Sequence, residues 1–251
     1  MLIFVSNANS KQQSNYQALL TVAVASNFYY PLTRLLDTSK DWGAHNIRLV
    51  SGSSGVLYAQ IVNGAPYHVF LSADAMRPQI LYESGKGLKP ISYAKGRLVL
   101  WPADPASSAI ENLSQSAGRI AIANPQTAPF GAAALDYLSK IPKYAQLKSR
   151  LVYGNNIAQA FQFVDTGNAS IGLIAKSMLI QAQAKFPDKQ AHYAMYIAID
   201  DALYPEILQQ AIVLTSPKQD EHALAAAFMA FLLSTSTQEQ LSSLGYQGVS
   251  Q

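Results

Sequence analysis

The chain has 251 residues, of which 49% are apolar and 13% charged, with a formal charge of +3 and no cysteine. That balance excludes a disordered chain, and Lys and Arg scattered without a block of five like charges exclude an evident nucleic-acid or membrane-surface footprint. The absence of cysteine removes disulfides, thiolate metal sites and cysteine nucleophiles together.

MLIFVSNANS opens the chain with an apolar run, Met1 to Val5, that is shorter than a signal core and lacks a basic start. Residues 1–20 are therefore read as an N-terminal extension or signal-peptide remnant. ALLTVAVAS (18–26) predicts a strand, and NFYYPLTRLLDTSKDW a helix with Leu32, Leu35 and Leu36 on one face. NIRLVSG (46–52) predicts a strand and the run after SGSSG a helix that stops at Asn63-Gly64. YHVFLSAD (67–74) is a strand, MRPQILYESGKG a short helix, and GRLVLWPAD (96–104) a longer strand.

A second set begins with the strand GRIAIANP (118–125) and the helix GAAALDYLSK. RLVYGNN (150–156) is a strand, IAQAFQFVDTG (157–167) a helix, SIGLIAKS (170–177) a strand and MLIQAQAKF a helix. ILQQAIVLTSP (207–217) is a strand, followed by one long helix and a closing segment at Leu244 to Tyr246. HALAAAFMAFLL (222–233) is too short to span a bilayer and reads as a buried helix. Strands alternating with helices imply mostly parallel sheets covered on both faces. If LVLWPA and AIVLTSP both cross between two halves, the first lobe is 21–99 plus 212–251 and the second 100–211, with a cleft between them.

Four strand-to-helix turns share one chemistry: Ser26-Asn27, then Ser51-Gly52-Ser53-Ser54-Gly55, then Asn124 through Gly131, then Gly154-Asn155-Asn156-Ile157. None carries a carboxylate. The first N–H groups of a helix lack an intrahelical partner and carry the positive end of its dipole, so such starts hold anions, at the strand ends where open α/β sheets bind ligands. Each turn taken singly is better explained by capping, and only the coincidence of four raises an anion site to an equal reading. Donors without acceptors suit a fully ionised tetrahedral oxyanion better than one that keeps a proton.

VAVASNFYYPL, the run G-S-S-G-x-L-x-x-Q-I-x-x-G-A-P-x-x-x-F-x-S-A-D starting at Gly52, and N-P-x-x-A-P-F-G-x-A-A starting at Asn124 resemble the periplasmic molybdate- and tungstate-binding proteins of ABC transporters. The likeness runs in order from about Thr21 to Tyr246. It implies a two-lobed α/β fold of the periplasmic-binding-protein type II class, each lobe a mostly parallel sheet flanked by helices. It also implies an oxyanion, molybdate or tungstate, held by hydrogen bonds without a protein–metal bond or cofactor. By position, Ser26 and Ser54 supply hydroxyls, Asn27 matches an asparagine of one branch, and Phe130 and Ile157 supply backbone N–H groups. One departure stands out: where some members place a tyrosine on the ligand, this chain has Ala175. The implied partner is a membrane ABC permease, docked transiently by a periplasmic, or at least extracytoplasmic, monomer that binds no nucleic acid.

The rival readings are another oxyanion, sulfate or phosphate, on the same fold, and a serine-dependent hydrolase. The hydrolase needs G-x-S-x-G, and GSSG has the wrong spacing, while His45, His68, His192 and His222 are each isolated. No histidine pair has metal-binding spacing, and Asp200-Asp201 reads as a solvated loop. Asp74 reads as a helix cap, and Phe28, Tyr29 and Tyr30 as packing residues rather than a stacking surface for a sugar or base. No helix-turn-helix segment marks either end as a regulator.

Overall fold

LTVAVA forms strand β1 (Leu20–Ala25) with every residue buried, the pattern of a strand covered on both faces. The computed structural model describes residues 19–42, 46–104, 113, 118–142, 144–215 and 219–249. Residues 1–18 of the expected N-terminal extension, and His45, lie outside the described residues.

The first half contributes α1 (Tyr29–Thr38), β2 (Ile47–Gly52), α2 (Ser54–Val62), β3 (Val69–Leu71), α3 (Met76–Glu83) and β4 (Ile91–Gly96). The second contributes β5 (Leu98–Pro102), β6 (Ile120–Ala123), α4 (Pro129–Ser139), α5 (Tyr144–Lys148), β7 (Leu151–Gly154), α6 (Ile157–Asp165), β8 (Ile171–Ala175), α7 (Lys176–Lys185), α8 (Gln190–Ala194) and β9 (Ile197–Ala198). The chain then returns through β10 (Ile207–Val213), α9 (Gln219–Leu233) and α10 (Thr235–Ser243).

Two five-stranded sheets result, ordered β2-β1-β3-β10-β4 and β7-β6-β8-β5-β9. In the first, β1 runs parallel to β2 and β3, and β10 runs antiparallel to β3 and β4. In the second, β6 is parallel to β7 and β8, and β5 antiparallel to β8 and β9. Each sheet thus has four strands in one direction and one reversed, which is the mostly parallel architecture the sequence pattern predicts.

The reversed strands are the two that the sequence suggested as crossings, and each lies whole in one sheet. The boundaries expected at 99/100 and 211/212 are accordingly displaced. The chain leaves the first sheet at Gly96 and enters the second at Leu98, and it comes back between Ala198 and Ile207. A strand pairs along its whole length with one sheet, so the crossing falls where the ladder stops, a place that apolar patterning does not mark. The strand β4, with its Ser, Lys and Gly, has no clear apolar period and was not foreseen. The expected single C-terminal helix is broken at Ser234, whose hydroxyl accepts from Thr237 N–H and caps α10.

Helices cover both faces of the first sheet. Leu32 and Leu35 of α1, Phe228 of α9 and Leu241 of α10 join Val22 and Val24 in one cluster. Leu57 and Ile61 of α2 and Leu81 of α3 join Ala23 and Phe70 in another, the period-two division of a strand between two cores. The second lobe has its own core around Trp101, Phe130, Tyr137 and Tyr193. Phe28 is buried against Tyr93 and Tyr246, with ring centroids 4.8 and 5.3 Å away, so it is a packing residue, while Tyr29 is exposed. Among the described residues no helix is long and apolar enough to cross a membrane.

One glycine fixes where α4 begins. A Cβ on Gly131 would lie 2.2 Å from the Ala123 carbonyl oxygen at the end of β6, so only glycine lets this helix start against its own strand. Gly131→Ala is expected to cost ~1–3 kcal/mol of stability by overpacking and to lower the melting temperature by roughly 2 to 12 °C, read by calorimetry.

Candidate functional site

All four donor-rich turns meet at one cavity between the lobes. Ser26 and Asn27 after β1, with Ser53 and Ser54 at the start of α2, line it from the first lobe; Ala128, Pro129 and Phe130 at the start of α4, with Ile157 at the start of α6, line it from the second. The five residues singled out in the sequence, Ser26, Asn27, Ser54, Phe130 and Ile157, are therefore brought together. Ala175 is not among the lining residues; it ends β8 in register with Leu98.

The hydroxyl of Ser54 accepts a hydrogen bond from Ala73 N–H at 2.9 Å. That fixes the side chain and leaves its single proton to donate. Ser26 N–H is spent on the Gly52 carbonyl at 2.9 Å, so Ser26 offers the cavity only its hydroxyl. Ser53 was not singled out beforehand. It is the N-cap residue of α2 yet makes no capping bond, and its buried Oγ has no hydrogen-bond partner among the described residues. A buried hydroxyl left unpaired costs about 1–3 kcal/mol, and Ser53 is the third serine hydroxyl in the cavity lining. The signal available in the sequence was its place as the N-cap between Gly52 and Ser54; its unmet bond is a tertiary fact.

The backbone supplies the rest. Pro129 occupies the first position of α4 and has no N–H, so Phe130 presents the first free one. Ile157 opens α6 behind Asn156, whose side chain accepts from Gln159 N–H at 3.0 Å and so caps a different donor. Neither the Phe130 nor the Ile157 N–H, nor that of Asn27, has a partner among the described residues. The Phe130 ring is buried at the crossing, where a Cβ on Gly96 would lie 2.6 Å from its tip.

Asn27 enters through its main chain. Its side-chain Nδ2 is occupied elsewhere, donating to Gln209 Oε1 at 3.1 Å and to Tyr246 Oη at 3.0 Å, while Tyr246 Oη donates to the Asn27 main-chain carbonyl at 2.7 Å. The tyrosine has one proton and gives it to that carbonyl, so it must accept from the asparagine side chain, which settles which amide atom faces it.

Among the described residues no charged side chain lines the cavity. Asp74, which follows the lining residue Ala73, accepts from Arg77 N–H at 2.9 Å and pairs with the Arg77 guanidinium, the capping role its position suggests. His68 accepts from Thr21 N–H at 2.8 Å through Nδ1 and faces Glu221 through Nε2, and the His192 ring packs on Trp101. Among the described residues no histidine or carboxylate lines the cavity beside its serines. Asp200 and Asp201 accept from Ala202 N–H and the Tyr204 hydroxyl respectively. Among the described residues no cluster of three metal-ligating side chains occurs.

The lobes are closed on this cavity. Gly55 N–H donates to the Thr127 carbonyl across the cleft at 2.8 Å. A Cβ on Gly55 would sit 2.9 Å from Thr127 Cα and O, so glycine is required for the approach. The cavity volume is about 10 Å³, roughly the room one water needs and far below the ~300–1,000 Å³ of sites for drug-sized ligands. A sugar or peptide does not fit it.

The sequence matches the family model for bacterial extracellular solute-binding proteins over residues 20–247. It is 37% identical over 228 residues to the molybdate-binding protein ModA of Rhodobacter capsulatus, covering 89% of this chain and 86% of that protein. It is 36% identical over 234 residues to the molybdate-binding protein ModA of Azotobacter vinelandii, covering 91% and 90%. The solved periplasmic molybdate-binding protein of Azotobacter vinelandii superposes with a TM-score of 0.80 at 33% identity, over 92% of this chain and all of that one. With its sheets, crossings and closed cleft, the chain belongs to the bacterial extracellular solute-binding protein family, and it is a binding protein rather than an enzyme.

Proposed function

We propose that this protein captures molybdate, or tungstate as the alternative ligand, in the periplasm and delivers it to the permease of an ABC transporter. The observation that carries the reading is the composition of the cavity wall: three serine hydroxyls and the N–H groups of helix starts, with no acceptor carboxylate and no cation. Such a wall stabilises a fully deprotonated dianion by charge-assisted hydrogen bonds and the dipoles of the converging helices. A hydrogen-bearing anion such as hydrogen phosphate finds no carboxylate to accept its proton, only the weaker acceptors of the serine hydroxyls. The names of the relatives support molybdate over other oxyanions.

In this reading Ser54, Ser26 and Ser53 donate from the first lobe, with Asn27 N–H, while Phe130 and Ile157 N–H groups donate from the second. Neither lobe surrounds the ion alone, so binding favours closure, and the closed form is what a permease recognises. The protein works as a monomer in this scheme, since the site is built from one chain.

Thermal shift with molybdate, tungstate, sulfate and phosphate tests the assignment. At a hundred times its dissociation constant a ligand adds about 2.7 kcal/mol, hence roughly 5 to 10 °C in melting temperature. Molybdate and tungstate are expected to give that shift; no shift with any of the four would remove the anion reading, and an equal shift with sulfate would make the protein a general oxyanion binder. Ser54→Ala and Ser53→Ala are each expected to weaken molybdate binding by ~1.5–3 kcal/mol, the range for a hydrogen bond to a charged partner, measured by titration calorimetry. Unchanged affinity in Ser53→Ala would return that hydroxyl to a purely local role. Because no titratable side chain lines the cavity, affinity is expected to stay flat across neutral and mildly alkaline pH wherever the ion is fully deprotonated; a titrating limb there would mean a side chain has been overlooked.

A further inference from the structure

Behind the cavity lies a buried polar cluster that neither the turns nor the helix starts account for. The Asn27 carbonyl accepts from Tyr246 Oη at 2.7 Å and from Ser177 Oγ at 3.2 Å, and those two hydroxyls are themselves 3.2 Å apart. The Asn27 amide donates to Tyr246 Oη and Gln209 Oε1, and Tyr93 Oη donates to Gln209 Oε1 at 2.9 Å. All five residues are buried.

Four of the five belong to the first lobe. Asn27 follows β1, Tyr93 lies on β4, Gln209 on β10, and Tyr246 follows α10. Tyr246 is held there by the reciprocal backbone bonds of Gln247 with Lys95, both 3.0 Å, and by its ring against Phe28. Ser177 is the exception, at the second position of α7 in the other lobe. Close approach at this seam needs Gly245: its φ is +92°, and a Cβ there would lie 3.0 Å from Ser177 N and Cα.

We infer that Ser177 and Tyr246 form an interlobe latch on the main chain of Asn27, so that lobe closure is registered at a residue lining the cavity. The two are positioning residues: neither lines the cavity. Ser177 reaches the carbonyl in the closed arrangement, and the latch requires that opening separates the two groups so that both hydrate. Held by its carbonyl on one side and its amide on the other, Asn27 has its free N–H aimed before an ion arrives. Burial keeps the phenols of Tyr246 and Tyr93 protonated far past neutrality, so the latch does not change with physiological pH. The inference deepens the oxyanion reading, of which Asn27 is a part, but the contact itself requires no particular ligand.

The chain has no cysteine, so Tyr82→Cys on the first lobe and Lys148→Cys on the second, both exposed, give a clean dye pair for single-molecule energy transfer. The closed-to-open ratio is measured with and without molybdate in this labelled protein and in its Ser177→Ala form. The ratio is expected to fall roughly two- to twelvefold in both conditions, the range for one neutral hydrogen bond. Molybdate should dissociate faster by a similar factor, with the melting temperature of the ligand-free protein unchanged. Tyr246→Phe, which keeps the ring on Phe28 but strips Asn27 of two hydrogen bonds, should show a larger fall. A ratio unchanged in both variants would overturn the latch, as would a loss of affinity matched by a loss of ligand-free stability, which marks a structural role only. Failure of the unsubstituted protein to respond to molybdate would overturn the proposed ligand, and the ligand-free ratios would still decide the latch.

Discussion

Everything in this structure is arranged around donors that cannot be satisfied from within. The first turn of a helix leaves N–H groups without partners, and here the starts of α2, α4 and α6, with the turn before α1, are pointed into one enclosed space. Burying an ion without a counter-charge costs tens of kcal/mol before compensation. Compensation by fixed dipoles needs several of them, pre-aimed and in contact. The two sheets solve this by presenting the carboxyl ends of β1 and β2 opposite those of β6 and β7, so that each lobe carries part of the donor set and closure completes it.

Placing backbone at such range calls for missing side chains. Gly131 lets α4 begin against β6, and Gly55 lets the first turn of α2 meet Thr127 across the cleft. The two positions act at different levels, one inside a lobe and one between lobes. Their shared feature is that a single methyl group would displace a main-chain donor by more than a hydrogen bond tolerates.

Much of this was legible in the sequence because it is local. Capping residues, a proline at the first position of α4 and apolar runs that end at them mark where helices start, and helix starts are the site. The family resemblance supplied which of those residues to name. What stayed hidden is what depends on distant partners. Asn27 could be placed at the site, but its side chain reaches Gln209 and Tyr246, 182 and 219 residues away, and no pattern along the chain records that. Ser53 reads as an ordinary cap until its hydroxyl is found without a bond. The lobe boundaries moved for a similar reason: β5 is apolar throughout and β10 is apolar except for Gln209 and Gln210, and only their pairing shows which sheet holds them.

The same distinction bears on selectivity. Oxyanions of equal charge and shape differ chiefly in radius, so a cavity that separates them must resist contracting or expanding. Hydroxyl donors adjust by rotating about one bond, whereas the N–H groups of Asn27, Phe130 and Ile157 move only if a helix or a whole lobe moves. Phe130 is wedged by its ring at the Gly96 crossing, and Asn27 is held by Tyr246 and, across the seam, by Ser177. In the proposed site the backbone donors would therefore set a fixed gauge, to which the serines fit the ion.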